Sequence, residues 1–597
     1  MKKRVVVTML AMMVAANMLA GCGSTKLGEA TASTNYQSST EEYLCTEEAV
    51  CSDYVADTFQ SSAYSSSNAQ VRGDVAACTK SAEYEIAEYE SAKRVVDQSD
   101  CVNEWYDFED EWYEDEYIEK TYSPIDGENY TKIVENDYID VISNPLSTFA
   151  ADVDTASYSN LRRMINDGLG LDMINPDAVR TEEIVNYFKY DYKEPKNGEV
   201  FGVESQISTC PWNKSAYLMT IGINTAMMDS EDIPDCNIVF LVDVSGSMSS
   251  SNKLPLIQKT MAMLVDNFDE NDRISIVTYA NGVNTVLDGC NGDKSRKIIK
   301  AFESLNAGGS TNGGDGIKTA YKIAEKNYID GGVNRVIVCS DGDFNVGLTT
   351  KSELEELITN KKDSGIFLST LGFGMGNYSD TTMETLADKG NGNYAYIDDL
   401  SEAKKVLVDE MTSTFVTVAK DVKLQVEFNP ALVSKYRLVG YENRAMAARD
   451  FKDDTKDGGE MGAGHQVTVV YEIYKADEND DISLKYQDTK LSSKGVKGDE
   501  YCTLSVAYKE PDGKKSRYLE FPINADNFTT NPSVNYRLAT ALVQASLGLK
   551  NSEYLVDMSR NEALESSIKI VNNINRKYKD EYITEFAGLM TQVLNNI

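Results

Sequence analysis

Five oxygen-bearing side chains follow apolar stretches of this sequence or lie in a glycine-rich loop, where they could bind a metal ion. They are Asp243, Ser245, Ser247, Thr311 and Asp341. The first three begin directly after CNIVFLV and are spaced two residues apart, the fourth lies in GGSTNGG, and the fifth follows RVIVCS. Carboxylate and hydroxyl oxygens are ligands for hard cations, so this set favours Mg²⁺, Mn²⁺ or Ca²⁺ over zinc.

The charge of this predicted site indicates how it could bind a partner. Two carboxylates balance a dication only formally, and hydroxyls add no charge, so the ion stays electrophilic and holds exchangeable water. A carboxylate from an Asp or Glu of a protein ligand is the natural further ligand. Two alternatives remain open: Ser310 replaces Thr311 if the loop register shifts by one, and Asp343 competes with Asp341 for the ion.

Residues 236–415 alternate apolar, strand-like runs with amphipathic, helix-like segments. CNIVFLVDV, DRISIVTYA, RVIVCS and IFLSTLGFG predict strands, and LPLIQKTMAMLVDNF and DGIKTAYKIAEKNYI predict helices between them. Such alternation indicates an α/β fold with a doubly wound, mainly parallel sheet covered by helices on both faces. Because ligands of such sheets bind at the carboxyl ends of the strands, we expect the five side chains to meet at that edge.

The motifs DVSGS at 243–247, GGST ending at Thr311 and SDG around Asp341 resemble the metal-ion-dependent adhesion site of von Willebrand factor type A domains. The resemblance covers about 236–415 and implies a Rossmann-like fold. It also implies that the serines and the threonine bind the cation directly or through water, while the aspartates often act through water. The implied function is adhesion-type recognition of a protein ligand through the cation; an envelope scaffold or assembly factor is the alternative.

The flanking segments STFAADVDTASYSNLRR, AVRTEEIVNYF and GAGHQVT are similar to those of bacterial YfbK-type lipoproteins. The pattern predicts helices in 144–200, a pair of strands in 201–230, an antiparallel β-sandwich in 416–525 and closing helices in 526–597. We expect the strands of 201–230 to pack on the sandwich, because they would otherwise keep exposed edges. The type A domain is then an insertion.

The N-terminus predicts export and a lipid anchor. MKKR is a cationic leader, 5–20 is an apolar run too short for a spanning helix, and LAGC ending at Cys22 resembles a bacterial lipobox. Residues 1–21 are expected to be a cleaved signal peptide, and the resemblance implies lipidation of the Cys22 thiol; a signal peptide with an incidental cysteine is the alternative. The expected location is extracytoplasmic, on a membrane facing the cell surface or the periplasm. No other segment is long and apolar enough to span a bilayer.

Residues 22–143 differ from the rest of the chain in composition. Between 23 and 140 there are 28 Asp and Glu against 7 Lys and Arg, with Ser-rich patches and no sustained apolar period. This composition predicts a disordered acidic stalk. Its stretch EWYDFEDEWYEDEYIEK is either a solvated tether or a segment that adheres to a basic surface. The net charge of −37 disfavours nucleic acid as a partner.

Few features point to catalysis. His465 is the only histidine, no CxxC occurs among the ten cysteines, and GGSTNGG lacks the GK[ST] ending of a nucleotide-binding loop. The best enzymatic alternative is a magnesium-dependent phosphohydrolase with Asp152 and Asp154 in a nucleophile loop, but Asp154 or Thr155 is more simply a helix N-cap. We therefore expect no enzymatic activity, no nucleotide and no disulfide framework.

Overall fold

The computed structural model describes residues 127–596 apart from 197, 230–231, 312, 344–350, 363, 477–497 and 512. The described residues belong to one unit of the chain, Lys120–Ile597. The predicted signal peptide, Cys22 and most of the predicted stalk lie outside the described residues, as does the predicted strand ISLKYQ at 482–487.

Strands and helices follow one another along the described chain. The strands are β1 Ile139–Asp140, β2 Leu146–Ala150, β3 Phe201–Thr209, β4 Tyr217–Thr225, β5 Cys236–Asp243, β6 Arg273–Tyr279, β7 Val283–Asn291, β8 Val333–Ser340, β9 Phe367–Phe373, β10 Tyr394–Ile397, β11 Thr417–Phe428, β12 Val433–Val439, β13 Gly459–Gly462, β14 Gln466–Lys475, β15 Glu500–Lys509 and β16 Arg517–Asn524. The helices are α1 Ala156–Asn166, α2 Thr181–Asn186, α3 Leu254–Leu264, α4 Ser295–Glu303, α5 Gly313–Lys326, α6 Lys351–Lys362, α7 Asp380–Lys389, α8 Leu400–Lys404, α9 Met411–Phe415, α10 Val534–Lys550, α11 Arg560–Tyr578 and α12 Glu581–Asn595.

A six-stranded sheet in the order β10-β9-β8-β5-β6-β7 forms the centre of the type A region. All neighbouring strands are parallel except the edge pair β6 and β7, which is antiparallel. The central strand β5 is buried along its whole length because both sheet faces are covered. Phe240 and Val242 pack in one core, and Val239 and Leu241 pack in the core on the opposite face. This sheet confirms the predicted α/β fold class.

Two further sheets pack face to face as a sandwich. One has the order β1-β12-β14-β4-β3, and the other has the order β13-β11-β15-β16, with β2 also paired to β11. Strand β4 pairs antiparallel with β14, so the chain enters the sandwich before the type A region and returns to it afterwards. The shared core contains Ile221 and Val469 from the first sheet and Leu424 and Val506 from the second.

A layer of helices covers the outer face of the first sandwich sheet. Alternate residues of β4 point to opposite sides, so Leu218 packs with the helices while Met219 packs inside the sandwich. Helices α1, α2, α10, α11 and α12 contribute the rest of this core. Helix α11 begins with a capping box between Ser559 and Glu562. Within the described ranges, no helix combines the length and the apolar character needed to cross a membrane.

Residues 127–143, which composition predicts to be part of the stalk, make specific contacts with the rest of the described chain. Glu128 accepts a hydrogen bond from Arg163 (2.8 Å), and the Asn136 side chain donates to the backbone carbonyl of Gly440 (2.9 Å). Tyr554 donates its hydroxyl to Asp137 at 2.8 Å. These polar contacts, together with the burial of Val141 in the sandwich core, hold an acidic segment that has no apolar period of its own.

Candidate functional site

Asp243 is the last residue of β5, between two parallel neighbours. Val242 pairs with Cys339 of β8, so the strand ends place Asp243 beside Ser340. The Asp243 Oδ1 accepts the backbone N–H of Ser245 at 2.8 Å, and the Ser340 hydroxyl donates to Oδ2 at 3.2 Å. Burial raises the pKa of the Asp243 carboxyl to about 6, because the charged form is poorly solvated there. A cation would restore the missing solvation.

The loop after β5 brings two hydroxyls together. The Oγ atoms of Ser245 and Ser247 lie 3.0 Å apart. Ser245 is buried and Ser247 is exposed, so the pair runs from the floor of the site to its surface. A short 3₁₀ turn at Gly246–Ser249 holds this arrangement.

The glycine-rich loop lies directly against this turn. The backbone N–H of Gly308 donates to the Val244 carbonyl at 2.8 Å, and that of Gly246 donates to the Gly309 carbonyl at 2.9 Å. Thr311, at the end of the loop, is buried. Ser310 is exposed, and both its backbone N–H and its hydroxyl donate to Asn281 Oδ1 at 2.8 Å. Ser310 is thus bonded to Asn281, whereas Thr311 lies inside the loop; which of the two would bind an ion stays a prediction.

Asp341 follows β8 and is fully buried. Its Oδ2 accepts hydrogen bonds from Lys253 Nζ and from Asn377 Nδ2, both at 2.9 Å. Its Oδ1 accepts the backbone N–H of Asp343 at 3.2 Å. Sequence analysis did not single out Lys253, which ends the loop that carries Ser245 and Ser247, or Asn377, which lies after β9. Nothing in the sequence indicates that either side chain contacts Asp341.

The structure thus brings all five predicted residues to the carboxyl edge of the six-stranded sheet. The donor set of buried carboxylates and paired hydroxyls fits Mg²⁺, Mn²⁺ or Ca²⁺, which prefer oxygen ligands. When bound, such an ion would attract an incoming carboxylate. Its presence and identity stay predictions.

A second acidic group lies at the opposite edge of the same sheet. Asp235, Asp269 and Asp272 each have a carboxylate oxygen within 4.8 Å of the others. Asp272 accepts the backbone N–H groups of Cys236 (2.8 Å) and Asp269 (2.6 Å), so it fixes the strand starts of β5 and β6. We read this group as a structural junction of the fold.

The carboxylates of the enzymatic alternative bind an arginine. Asp152 Oδ2 lies 3.0 Å from Arg444 Nε, and Asp154 Oδ2 lies 3.1 Å from Arg444 Nη2. Asp154 also accepts the backbone N–H of Tyr394 at 2.7 Å. The N-cap of α1 is Thr155, which makes no side-chain cap bond, so Asp154 is not the cap. The DVD motif, Asp152 to Asp154, therefore links the segment after β2 to Arg444 and to Tyr394.

His465 has a local structural role. Its Nδ1 accepts the backbone N–H of Gly462 at 2.9 Å, just before β14. Burial lowers its pKa, and the positive charge of Lys189 lowers it further, so the ring is neutral. The described cysteines Cys210, Cys236, Cys290, Cys339 and Cys502 are all buried.

Three family models match the chain in separate segments. The von Willebrand factor type A domain model matches residues 237–409, which contain all five site residues. The model of the C-terminal part of the uncharacterized protein YfbK matches residues 413–594, and a von Willebrand factor model matches residues 124–220. Type A domains generally mediate protein–protein interactions and often bind a divalent cation.

The chain was also compared with individual proteins and solved structures. The uncharacterized protein sll0103 of Synechocystis is 28% identical over 167 residues, which are 28% of this chain and 39% of that protein. A von Willebrand factor type A structure from Catenulispora acidiphila has 13% identity and a TM-score of 0.38, covering 66% of this chain and 91% of that chain. The uncharacterized protein YfbK of Escherichia coli is 40% identical over 475 residues, which are 78% of this chain and 82% of that protein. The chain therefore belongs to the YfbK family of proteins with a von Willebrand factor type A domain.

Proposed function

We propose that this chain is a lipid-anchored, extracytoplasmic binding protein that captures a protein ligand through a divalent cation at its type A domain. Asp243, Ser245, Ser247, Thr311 and Asp341 would hold the cation. The Cys22 thiol would carry the lipid. The proposed function is recognition of a protein ligand, and it requires no enzymatic step.

One observation carries the proposal: three loops distant in sequence are bonded together at one sheet edge. Asp243 and Ser340 are joined directly at 3.2 Å, and the loop of Thr311 is joined to Val244 at 2.8 Å through Gly308. This arrangement gathers oxygen donors that have no shared role in the core. Buried polar groups at a loop edge are typical of binding sites.

The ligand side of the proposal follows from charge. The chain has a net charge of −37, so an acidic ligand is repelled by the protein as a whole. A bound dication supplies local positive charge, which a ligand Asp or Glu could approach. Capture should therefore depend strictly on the metal.

The test is capture from cell envelopes by the full-length protein in Mg²⁺ or Mn²⁺, with an EDTA control. We expect a specific partner to bind with metal, to be released by EDTA and to be lost with Asp243→Ala. The matched control is Asp330→Ala, because Asp330 is exposed and precedes the amino end of β8. Capture that survives both EDTA and Asp243→Ala would contradict the proposal and would favour the alternative of a metal-independent envelope scaffold.

A further inference from the structure

A buried lysine lies next to the candidate metal site. Lys253, only 4% exposed, precedes helix α3 and extends its ammonium to Asp341 Oδ2 at 2.9 Å. The same ammonium donates to Asn377 Oδ1 at 2.6 Å, and Asn377 Nδ2 donates back to Asp341 Oδ2 at 2.9 Å. Lysines are seldom this buried without a specific partner.

The surrounding backbone is shaped for this side chain. Gly374 has φ +86°, and a Cβ at that position would lie 2.1 Å from Lys253 Cε. Only glycine leaves room for the stem of the lysine at this point of the loop. The loop that contains Gly374 and Asn377 therefore fixes the ammonium beside Asp341.

The contacts restrict what Asp341 can do. A carboxylate oxygen accepts about two hydrogen bonds in the plane of the group, and Oδ2 already accepts two, from Lys253 and Asn377. Any contact of Asp341 with a cation or its water then falls to Oδ1. Lys253 thus orients the carboxylate as well as adding charge.

Lys253 changes the net charge of the candidate metal site. Asp243 and Asp341 supply two negative charges, and Lys253 supplies one positive charge. A dication bound here would leave the site with a net charge of +1, whereas the two carboxylates alone would leave it neutral. The ammonium repels the cation and attracts a ligand carboxylate.

We propose that Lys253 is a positioning residue that sets the charge of the site, weakening its affinity for the metal and strengthening the affinity of the loaded site for a ligand carboxylate. This inference rests on the metal site of the proposed function. It predicts opposite effects on two affinities, which loss of structure alone does not produce.

The test uses the full chain, Mn²⁺ as the metal and acetate as the carboxylate probe. Mn²⁺ affinity is measured by calorimetry, and acetate affinity by displacement of water from bound Mn²⁺ in proton relaxation. For Lys253→Met we expect the Kd for Mn²⁺ to fall about tenfold or more and the Kd for acetate to rise by a similar factor. Lys253→Arg keeps the charge and should stay closer to wild type in both. Lys259→Met, on the exposed side of α3, is the matched control and should change neither.

The outcomes distinguish the proposed role of Lys253 from the proposed metal site itself. If Lys253→Met melts below the assay temperature, Lys253→Gln is measured in its place, because it removes the same charge. If a folded neutral variant keeps both the Mn²⁺ and the acetate affinity of the wild type, or loses both, the proposed role of Lys253 is wrong. The proposal that the wild-type protein has a metal site would still stand. Failure of the wild-type protein to bind Mn²⁺ at all would instead overturn the proposed function together with this inference.

Discussion

Replacement of Arg444 by methionine should destabilise the protein severely. Arg444 is 12% exposed and lies 3.0 Å from Asp152, 3.1 Å from Asp154 and 3.8 Å from Glu384, and it also contacts Asp388. It joins the segment after β2 to helix α7 of the type A region. Removing it would leave these carboxylates without their shared cation.

The size of the effect follows from burial. Loss of one partner from a buried ion pair costs about 3–5 kcal/mol, because the other charge stays buried. Asp152 and Asp154 are only 4% and 5% exposed, and both lose the same partner, so we expect the upper end of this range near pH 8. Burial already raises the pKa of Asp154, and the charge of Asp152 raises it further. Lowering the pH should therefore protonate Asp154 in the variant and reduce the deficit.

The assay is urea unfolding followed by the fluorescence of tryptophan, since Trp212 is fully buried. Arg449→Met is the control, because Arg449 is 90% exposed and its contact with Asp450 is 3.9 Å long. Exposed pairs of this kind contribute about 0–1 kcal/mol. If the two variants differ in unfolding free energy by less than about 1 kcal/mol, the reasoning about buried charge is wrong. Adding Asp152→Asn and Asp154→Asn should restore part of the loss.

Further predictions concern other residues. Burial, with the charge of Glu442 adding to it, raises the pKa of Glu182 from 4.5 to about 8, so the folded protein keeps a proton that the unfolded chain loses. Wild-type stability therefore falls as pH rises through this window, and Glu182→Gln should gain on the order of 3 kcal/mol relative to wild type between pH 5 and pH 8 in parallel urea titrations; equal pH profiles would contradict this. Cys22→Ser should abolish incorporation of labelled palmitate, and labelling that persists would refute the anchor. His465→Ala should retain metal-dependent capture, because the ring accepts a bond from Gly462 in the turn before β14; a loss of capture by a folded variant would give the histidine a functional role.

The sequence was sufficient for the parts of the fold whose pattern is local. The apolar run CNIVFLV predicts a buried strand that ends at Asp243, and the structure has this strand. The hydroxyl side chains that follow are polar, so the sequence predicts a loop there. Parallel strands then put Asp341 next to that strand end. The sequence leaves Ser310 and Thr311 as alternatives, and only the fold shows that Ser310 is bonded to Asn281.

Features that depend on distant contacts were not predictable in this way. Lys253 lies 88 residues from Asp341, and nothing in a lysine before a helix distinguishes a buried ammonium from an exposed one. The segment 127–143 was assigned to the stalk by composition, although Glu128 finds a partner in Arg163. The two aspartates of the DVD motif resemble a catalytic loop in the sequence, and their structural partner cannot be recognised there because Arg444 lies 290 residues from Asp154. Charge pairing over such separations leaves no periodic signal.

The most direct test of the metal site is a calorimetric titration of the full chain with Mg²⁺. The account predicts one ion per chain, loss of binding with Asp243→Ala, and retained binding with Asp235→Asn, which alters the acidic group at the opposite edge of the sheet. A wild-type protein that binds no divalent ion, or an Asp243→Ala variant that binds as tightly as the wild type, would contradict it.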